Sequence, residues 1–247
     1  MKKAVCLLSA LMAYSASAAT DEGHQQGGDN VSSDSDSAWK YRFRLNKFER
    51  QFSTANDSDF GEWAGYIRVE KELDNFWLTT KGSTQQSETD SAEIRLLYSR
   101  TIKPYIDLHL GWRRDLKPEP ERDWRGFGVL GILPYKIGTD VSFFIGESGR
   151  FATRLEIAYR HRMTSRLSLT PDLEANFYSE DDPDRDIGSG LSDLDFGLRL
   201  RYKIIRGVLP YVGITWKGNF GKTADIIESK GEDADDLRFM LGVTLRY

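Results

Sequence analysis

Residues 237–247 constrain the fold more than any other stretch. Leu237, Phe239, Leu241, Val243, Leu245 and Tyr247 are apolar, and Arg238, Met240, Gly242, Thr244 and Arg246 fill the alternate positions. A period of two makes a strand with one apolar and one largely polar face. A final strand that alternates this way and stops on an aromatic residue suits a closed barrel in lipid, with apolar side chains outward and polar ones in the lumen. The same texture recurs from Trp39 onward, in runs at 39–50, 62–72, 75–82, 92–101, 105–113, 124–132, 138–146, 151–162, 166–178, 192–204 and 208–218. No segment shows a helical period. The spacing predicts an all-β chain: a closed antiparallel transmembrane β-barrel of the bacterial outer-membrane type over residues 39–247. It has about 12 strands, or ten if the short third and seventh runs fall away.

Two further patterns agree with that reading. The connections after strands two, four, six, eight and ten are short, whereas those after strands one, three, five, nine and eleven are longer and strongly polar. This is the alternation of periplasmic turns with extracellular loops, and an even strand count puts both chain ends in the periplasm. The connection near 147–149 is short and breaks the pattern. Outward parity then sorts Tyr41, Tyr98, Tyr159, Tyr202 and Tyr247 to one rim, and Trp63, Trp112, Phe177 and Trp216 to the other, as two aromatic girdles. A soluble β-sandwich has no reason to sort its aromatics by height.

Ahead of the barrel, Met1-Lys2-Lys3, an apolar run over 4–13 and Ala16-Ser17-Ala18 form a secretory signal peptide over 1–18. Its removal takes away two lysines and no acids, moving the formal net charge from -4 to about -6. No basic excess points to nucleic acid. The single cysteine, Cys6, leaves with the signal, so the mature chain has no disulfide or thiolate chemistry. Residues 19–38 carry almost no apolar side chains and read as a disordered periplasmic tail. A mean hydropathy of -0.52 resembles that of a soluble protein, but a barrel escapes that test because half of each strand is polar.

Inward parity collects Arg95, Arg154, Glu156, Arg160, Arg199, Arg201 and Arg238 as a lumenal charge network, together with Glu93, Asp107, His109, Asp172, Glu174 and Arg246. Charges of this density are very costly against hydrocarbon. Twelve strands about 4.8 Å apart and tilted about 40° enclose a backbone diameter of roughly 25 Å. Arginines reaching in from both walls make a constricted or plugged lumen the expectation. The competing readings are a small-solute channel that favours anions and a structural surface barrel with a plugged lumen.

Three histidines are available. His109 shares the inward face with Asp107, and His plus carboxylate is adequate chemistry for a divalent transition ion. Glu174 is the candidate third ligand, provided its strand lies at the same height. His161 has outward parity, and His24 lies in the tail. Carboxylates crowd two outer loops, Glu180 to Asp186 and Asp225 to Asp236. They are candidate calcium or magnesium sites, including ions that bridge lipopolysaccharide phosphates. Ser, His and acidic residues form no hydrolase motif, so no enzymatic activity is expected. Outer-membrane lipid, lipopolysaccharide and the barrel-assembly machinery are the partners this architecture implies.

Several segments go beyond pattern. Asp172-Leu173-Glu174-Ala175-Asn176-Phe177-Tyr178, Asp182-Pro183-Asp184-Arg185, Ile187-Gly188-Ser189-Gly190-Leu191-Ser192-Asp193-Leu194 and Gly197-Leu198-Arg199-Leu200-Arg201-Tyr202 resemble the copper-resistance protein B family of outer-membrane proteins. So do Pro210-Tyr211-Val212-Gly213 with Trp216, Gly221-Lys222-Thr223-Ala224-Asp225 and Gly231-Glu232-Asp233. The resemblance implies copper tolerance, with copper ion bound or passed at the outer membrane and periplasmic copper proteins as partners. Members typically carry a Met/His-rich segment ahead of the barrel. Here the tail has one histidine and no methionine, which removes the most direct copper chemistry.

Overall fold

The computed structural model describes residues 38–55 and 58–247. The signal peptide expected over 1–18, and all but the last residue of the tail expected over 19–38, lie outside the described residues, as do Cys6 and His24. The described chain is strand almost throughout. In order it forms β1 (Lys40–Ser53), β2 (Asp59–Lys71), β3 (Asp74–Gln85), β4 (Glu88–Lys103), β5 (Ile106–Lys117), β6 (Arg122–Leu133), β7 (Ile137–Gly146), β8 (Phe151–Tyr159), β9 (His161–Arg162), β10 (Leu167–Tyr178), β11 (Gly190–Tyr202), β12 (Val208–Asn219) and β13 (Asp235–Arg246). One helix, α1 (Gly221–Ser229), lies between β12 and β13.

Apart from β8 and β9, each strand pairs antiparallel with its sequence neighbour, and β1 pairs with β13, which closes the sheet. Segments β8 and β9 pair with the same strand, β10, and are one strand broken at Arg160. The thirteen segments therefore build a closed barrel of twelve strands, as the alternation predicts, and closure leaves no open edge.

The barrel is inside out relative to a soluble domain. Phe239 and Leu241 are 57% and 53% exposed, while Met240 between them is 3% exposed, so successive residues do face opposite sides. Among the described residues, buried polar side chains outnumber buried apolar ones 22 to 8. Lipid is the only surrounding that makes this arrangement favourable. At the rim holding the chain ends, Tyr41, Tyr202 and Tyr247 are exposed. At the other rim the indole N–H groups of Trp112 and Trp216 donate to Asp123 and Asp235, both at 3.0 Å. An apolar ring with a hydrogen-bonded polar tip suits the membrane–water boundary.

The helix α1 is not announced by any helical period in the sequence, and two further features depart from the sequence reading. The first is a bulge in β1. Its register against β2 shifts between Leu45 and Lys47, and against β13 between Leu45 and Glu49. Tyr41 and Phe43 face out before the shift, and Phe48 and Phe52 face out after it. The extra residue therefore turns Lys47, Glu49 and Gln51 inward.

The second concerns the outer connections. Those after β1, β3 and β5 are not long loops, because their polar residues continue the ladders. β3 and β4 pair to Gln85–Glu88, leaving only Gln86 and Ser87 as the turn. Both have positive φ, +48° and +72°, the requirement of a two-residue hairpin turn that matches strand twist. Polar side chains cost nothing once a strand has risen past the hydrocarbon. Longer outer connections are 179–189 and 220–234 only, among the described residues.

Candidate functional site

The lumen is filled by ion pairs that cross it. Lys81 on β3 is paired with Glu174 on β10, six strands away in either direction around the wall and so directly opposite. Arg154 bonds Glu93 at 2.8 and 3.0 Å and reaches Glu174 at 3.5 Å. Glu93 also meets Arg95 at 3.4 Å and Arg113 at 3.2 Å, and Arg95 continues to Glu156 at 3.4 Å. Arg113 bonds Asp115 at 2.6 Å.

A second cluster lies beside it. Arg199 holds Glu49 by two bonds of 3.0 and 2.9 Å and is paired with Asp172. Tyr211 donates to Glu49 at 2.6 Å. Glu62 receives Lys47 at 2.8 Å and Lys217 at 3.1 Å, while Lys47 stands 3.8 Å from Asp172. Burial of so many charges is tolerable because nearly every carboxylate has a cation on it.

The outer mouth is covered by its own loops. Arg185, from the 179–189 connection, reaches down to Asp115 at 3.0 Å, where the Trp124 indole also donates at 3.0 Å. Asp182 of the same connection accepts from Arg122 at 3.0 Å and from Arg150 at 2.6 Å. Burial pushes the Asp182 carboxyl up, but these guanidinium bonds outweigh it and hold it below its ordinary value. Thr223 of α1 accepts from the Gly188 amide at 2.9 Å and donates to Ser192 at 3.0 Å. A Cβ on Gly188 would come within 2.5 Å of the Thr223 backbone nitrogen, so the two outer segments dock only because residue 188 is glycine. Lys222–Asp181 at 2.8 Å and Lys230–Asp186 at 2.6 Å tie them further. Much of the acidic cluster expected to hold calcium or magnesium is thus matched by bases.

The expected metal residues are distributed as follows. His109 is 4% exposed on the inner face of β5, with Nε2 3.3 Å from Asp140 Oδ1 and 3.4 Å from Ser142 Oγ. Its ring lies against Gly128, where a Cβ would sit 2.5 Å from Nε2, so this glycine makes the room for the imidazole. Nδ1 is buried and has no hydrogen-bond partner. Asp107 is two residues away and accepts from Thr101 at 2.7 Å.

Glu174 is not brought to this pair. Asp107, Leu130, Asp140, Glu156 and Glu174 form one cross-strand row. Four strand spacings of about 4.8 Å set Glu174 roughly 19 Å from Asp107 along the wall, turned toward Lys81 and Arg154. Among the described residues no three His, Cys, Asp or Glu side chains converge to hold a metal ion.

Of the expected charge network, Arg95, Arg154, Glu156 and Arg199 join the crossing ion pairs. Arg238 bonds Asp236 at 2.6 Å, with its guanidinium 3.5 Å from the Phe60 ring centroid. Arg160 and Arg201 form no ion pair among the described residues. Parity could also have named Glu62, Lys81, Arg113 and Lys217. Lys47 and Glu49 were hidden by the bulge, whose only trace is the shift of the outward apolar residues from Leu45 to Phe48.

A closed twelve-stranded barrel with a polar interior and an apolar belt defines an outer-membrane β-barrel protein. Among solved structures it is similar to the NanC porin, with a TM-score of 0.56, 8% identity, and coverage of 82% of this chain and 98% of that one. At that identity the likeness shows the fold alone.

Residues 39–247 match the family described as Copper resistance protein B precursor. The chain is 36% identical over 212 residues to Copper resistance protein B of Escherichia coli, covering 86% of this chain and 71% of that protein. It is 37% identical over 212 residues to the Copper resistance protein B homolog of Pseudomonas syringae pv. tomato, with the same coverage. The chain belongs to the copper resistance protein B family. Its place is the outer membrane and its role lies in copper resistance.

Proposed function

We propose that the barrel serves copper resistance by holding copper on its lumen wall at His109, and that it does not pass copper through an open bore. The observation that carries this reading is the state of the His109 ring. With Nε2–H donating to Asp140, Nδ1 keeps its lone pair and has no hydrogen-bond partner. A carboxylate that fixes one ring nitrogen orients the other for a metal. Asp107, on the same face, offers oxygen, and an imidazole with carboxylates suits copper(II). Glu174 stays outside this set. The ion pairs that cross the bore favour retention over free passage.

The test is a copper(II) titration of the mature barrel in non-ionic detergent, followed by electron paramagnetic resonance. One equivalent with coupling to a single nitrogen is expected, and His109→Ala should remove it. If His109→Ala binds copper as the parent does, the proposed site is wrong. Growth of a strain carrying His109→Ala in copper salts then reads whether the site serves tolerance. Calcium or magnesium at the acidic outer loops is a separate proposal, read by barrel stability with and without chelator.

A further inference from the structure

At the rim holding the chain ends lies a cavity of about 1010 Å³, lined by Arg42, Arg44, Tyr66, Lys203, Arg206 and Arg246 among others. It differs from the rest of the lumen in one respect: of the cations that line it, Arg42 alone meets a carboxylate, Glu70 at 3.2 Å. Arg44 and Arg246 are direct cross-strand partners on β1 and β13. Like charges directly opposite each other destabilise a sheet. Arg246 also lies within electrostatic reach of Arg160 and Arg201. Among the described residues Arg44, Arg160, Arg201 and Arg246 form no ion pair, whereas the lumenal arginines farther in are tied to carboxylates.

Polar atoms there are left over as well. Arg44 Nε, Arg160 Nε, Arg201 Nη1, and Arg246 Nε and Nη2 are buried without a hydrogen-bond partner. Arg201 is 7% exposed, and its one protein hydrogen bond goes to the Thr244 hydroxyl at 3.3 Å. The nearby carboxylates already face other cations: Glu70, whose Oε1 makes no hydrogen bond, lies 3.2 Å from both Arg42 and Arg68, and Asp172 is paired with Arg199.

Four guanidinium groups within electrostatic reach of one another, with five buried donor nitrogens idle, are costly unless something anionic completes them. We infer that this periplasmic vestibule is a binding site for a soluble multivalent oxyanion, one that presents phosphate or carboxylate groups to Arg44 and Arg246 on the cavity wall, with Arg201 and Arg160 adding positive charge from behind them. The planar fork of each guanidinium matches two oxygens of such a group, and the volume admits a small polyanion. The inference is independent of copper at His109 and stands if that site fails.

The test uses the mature barrel in non-ionic detergent, titrated calorimetrically with inorganic pyrophosphate and with citrate at fixed ionic strength. Both are expected to bind, and pyrophosphate to raise the temperature at which the barrel loses its heat-modifiable gel mobility. Arg246→Gln and Arg44→Gln should each weaken binding about 10- to 100-fold, the equivalent of one charged hydrogen-bonding group. Neither should lower stability without ligand, since each relieves repulsion; an arginine with a merely structural role would lower it. Arg114→Gln, at the outer rim, should leave binding unchanged.

The inference is overturned if the parent binds neither anion at millimolar concentration, or if both vestibule variants bind as the parent does. It is also overturned if only anionic phospholipid in nanodiscs stabilises the barrel and pyrophosphate does not compete.

Discussion

Replacing Arg199 with methionine should cost the barrel about 3–5 kcal/mol, the usual loss when one member of a buried ion pair is removed. Arg199 is 1% exposed, gives Glu49 two hydrogen bonds of 3.0 and 2.9 Å, and is also paired with Asp172. Three charge-assisted bonds at about 1.5–3 kcal/mol each would suggest more. However, Glu49 keeps Tyr211 at 2.6 Å and Gln51 at 2.8 Å, and Asp172 keeps Lys47 at 3.8 Å. The orphaned carboxylates are thus partly served, which holds the loss below the sum. Removing both charges, as Glu49→Gln with Arg199→Met, leaves no unmatched ion at this contact and should recover at least about 1 kcal/mol of the summed single losses. Reversible urea unfolding in lipid vesicles, followed by tryptophan fluorescence, measures each arm of the cycle. A single variant within about 1 kcal/mol of the parent, or a cycle additive to within about 0.5 kcal/mol, would refute the reasoning.

Other outcomes are equally direct. Gly128→Ala places a Cβ 2.5 Å from His109 Nε2 and 2.2 Å from the Val141 carbonyl oxygen. It should cost about 1–3 kcal/mol by overpacking and shift the copper(II) resonance spectrum if His109 is the ligand. Thr244→Val removes the hydroxyl that donates to the Asn46 carbonyl at 2.7 Å in the β1 bulge. Losing this half-buried bond should lower stability by about 0.5–1.5 kcal/mol, seen as a lower urea midpoint at unchanged slope. Asp181 is held down to about 2 by the Lys222 ammonium first and the Ser189 amide second. Because that folded value is below the ordinary carboxyl value of about 3.9, its contribution is complete above pH 4 and is lost as pH falls toward 2. Amide exchange at Ser189 should stay slow from pH 7 to 4; acceleration already at pH 5 would contradict the assignment.

The barrel was legible in the sequence because lipid enforces alternation residue by residue, as the 57%, 3% and 53% exposures across Phe239, Met240 and Leu241 show. Strand tops were not legible, since above the hydrocarbon nothing selects apolar side chains. The Gln86–Ser87 turn lacks the Asn-Gly signature that would have announced it. The lumen's composition was readable by parity, but its partnerships were not. Only closure sets Lys81 opposite Glu174, and only the row from Asp107 to Glu174 tells how far apart those two stand. The Arg44–Arg246 juxtaposition needed the register of the seam between the first and last strands.

That seam bears on assembly. Glu49 sits on the first strand and finds its cation, Arg199, 150 residues later. Glu62 and Glu70 find cations within the opening hairpin, but Glu49 lacks its guanidinium until the last three strands have been delivered and the seam is sealed. A half-inserted intermediate would hold this one carboxylate bare near the membrane interior, which makes incomplete products poor survivors.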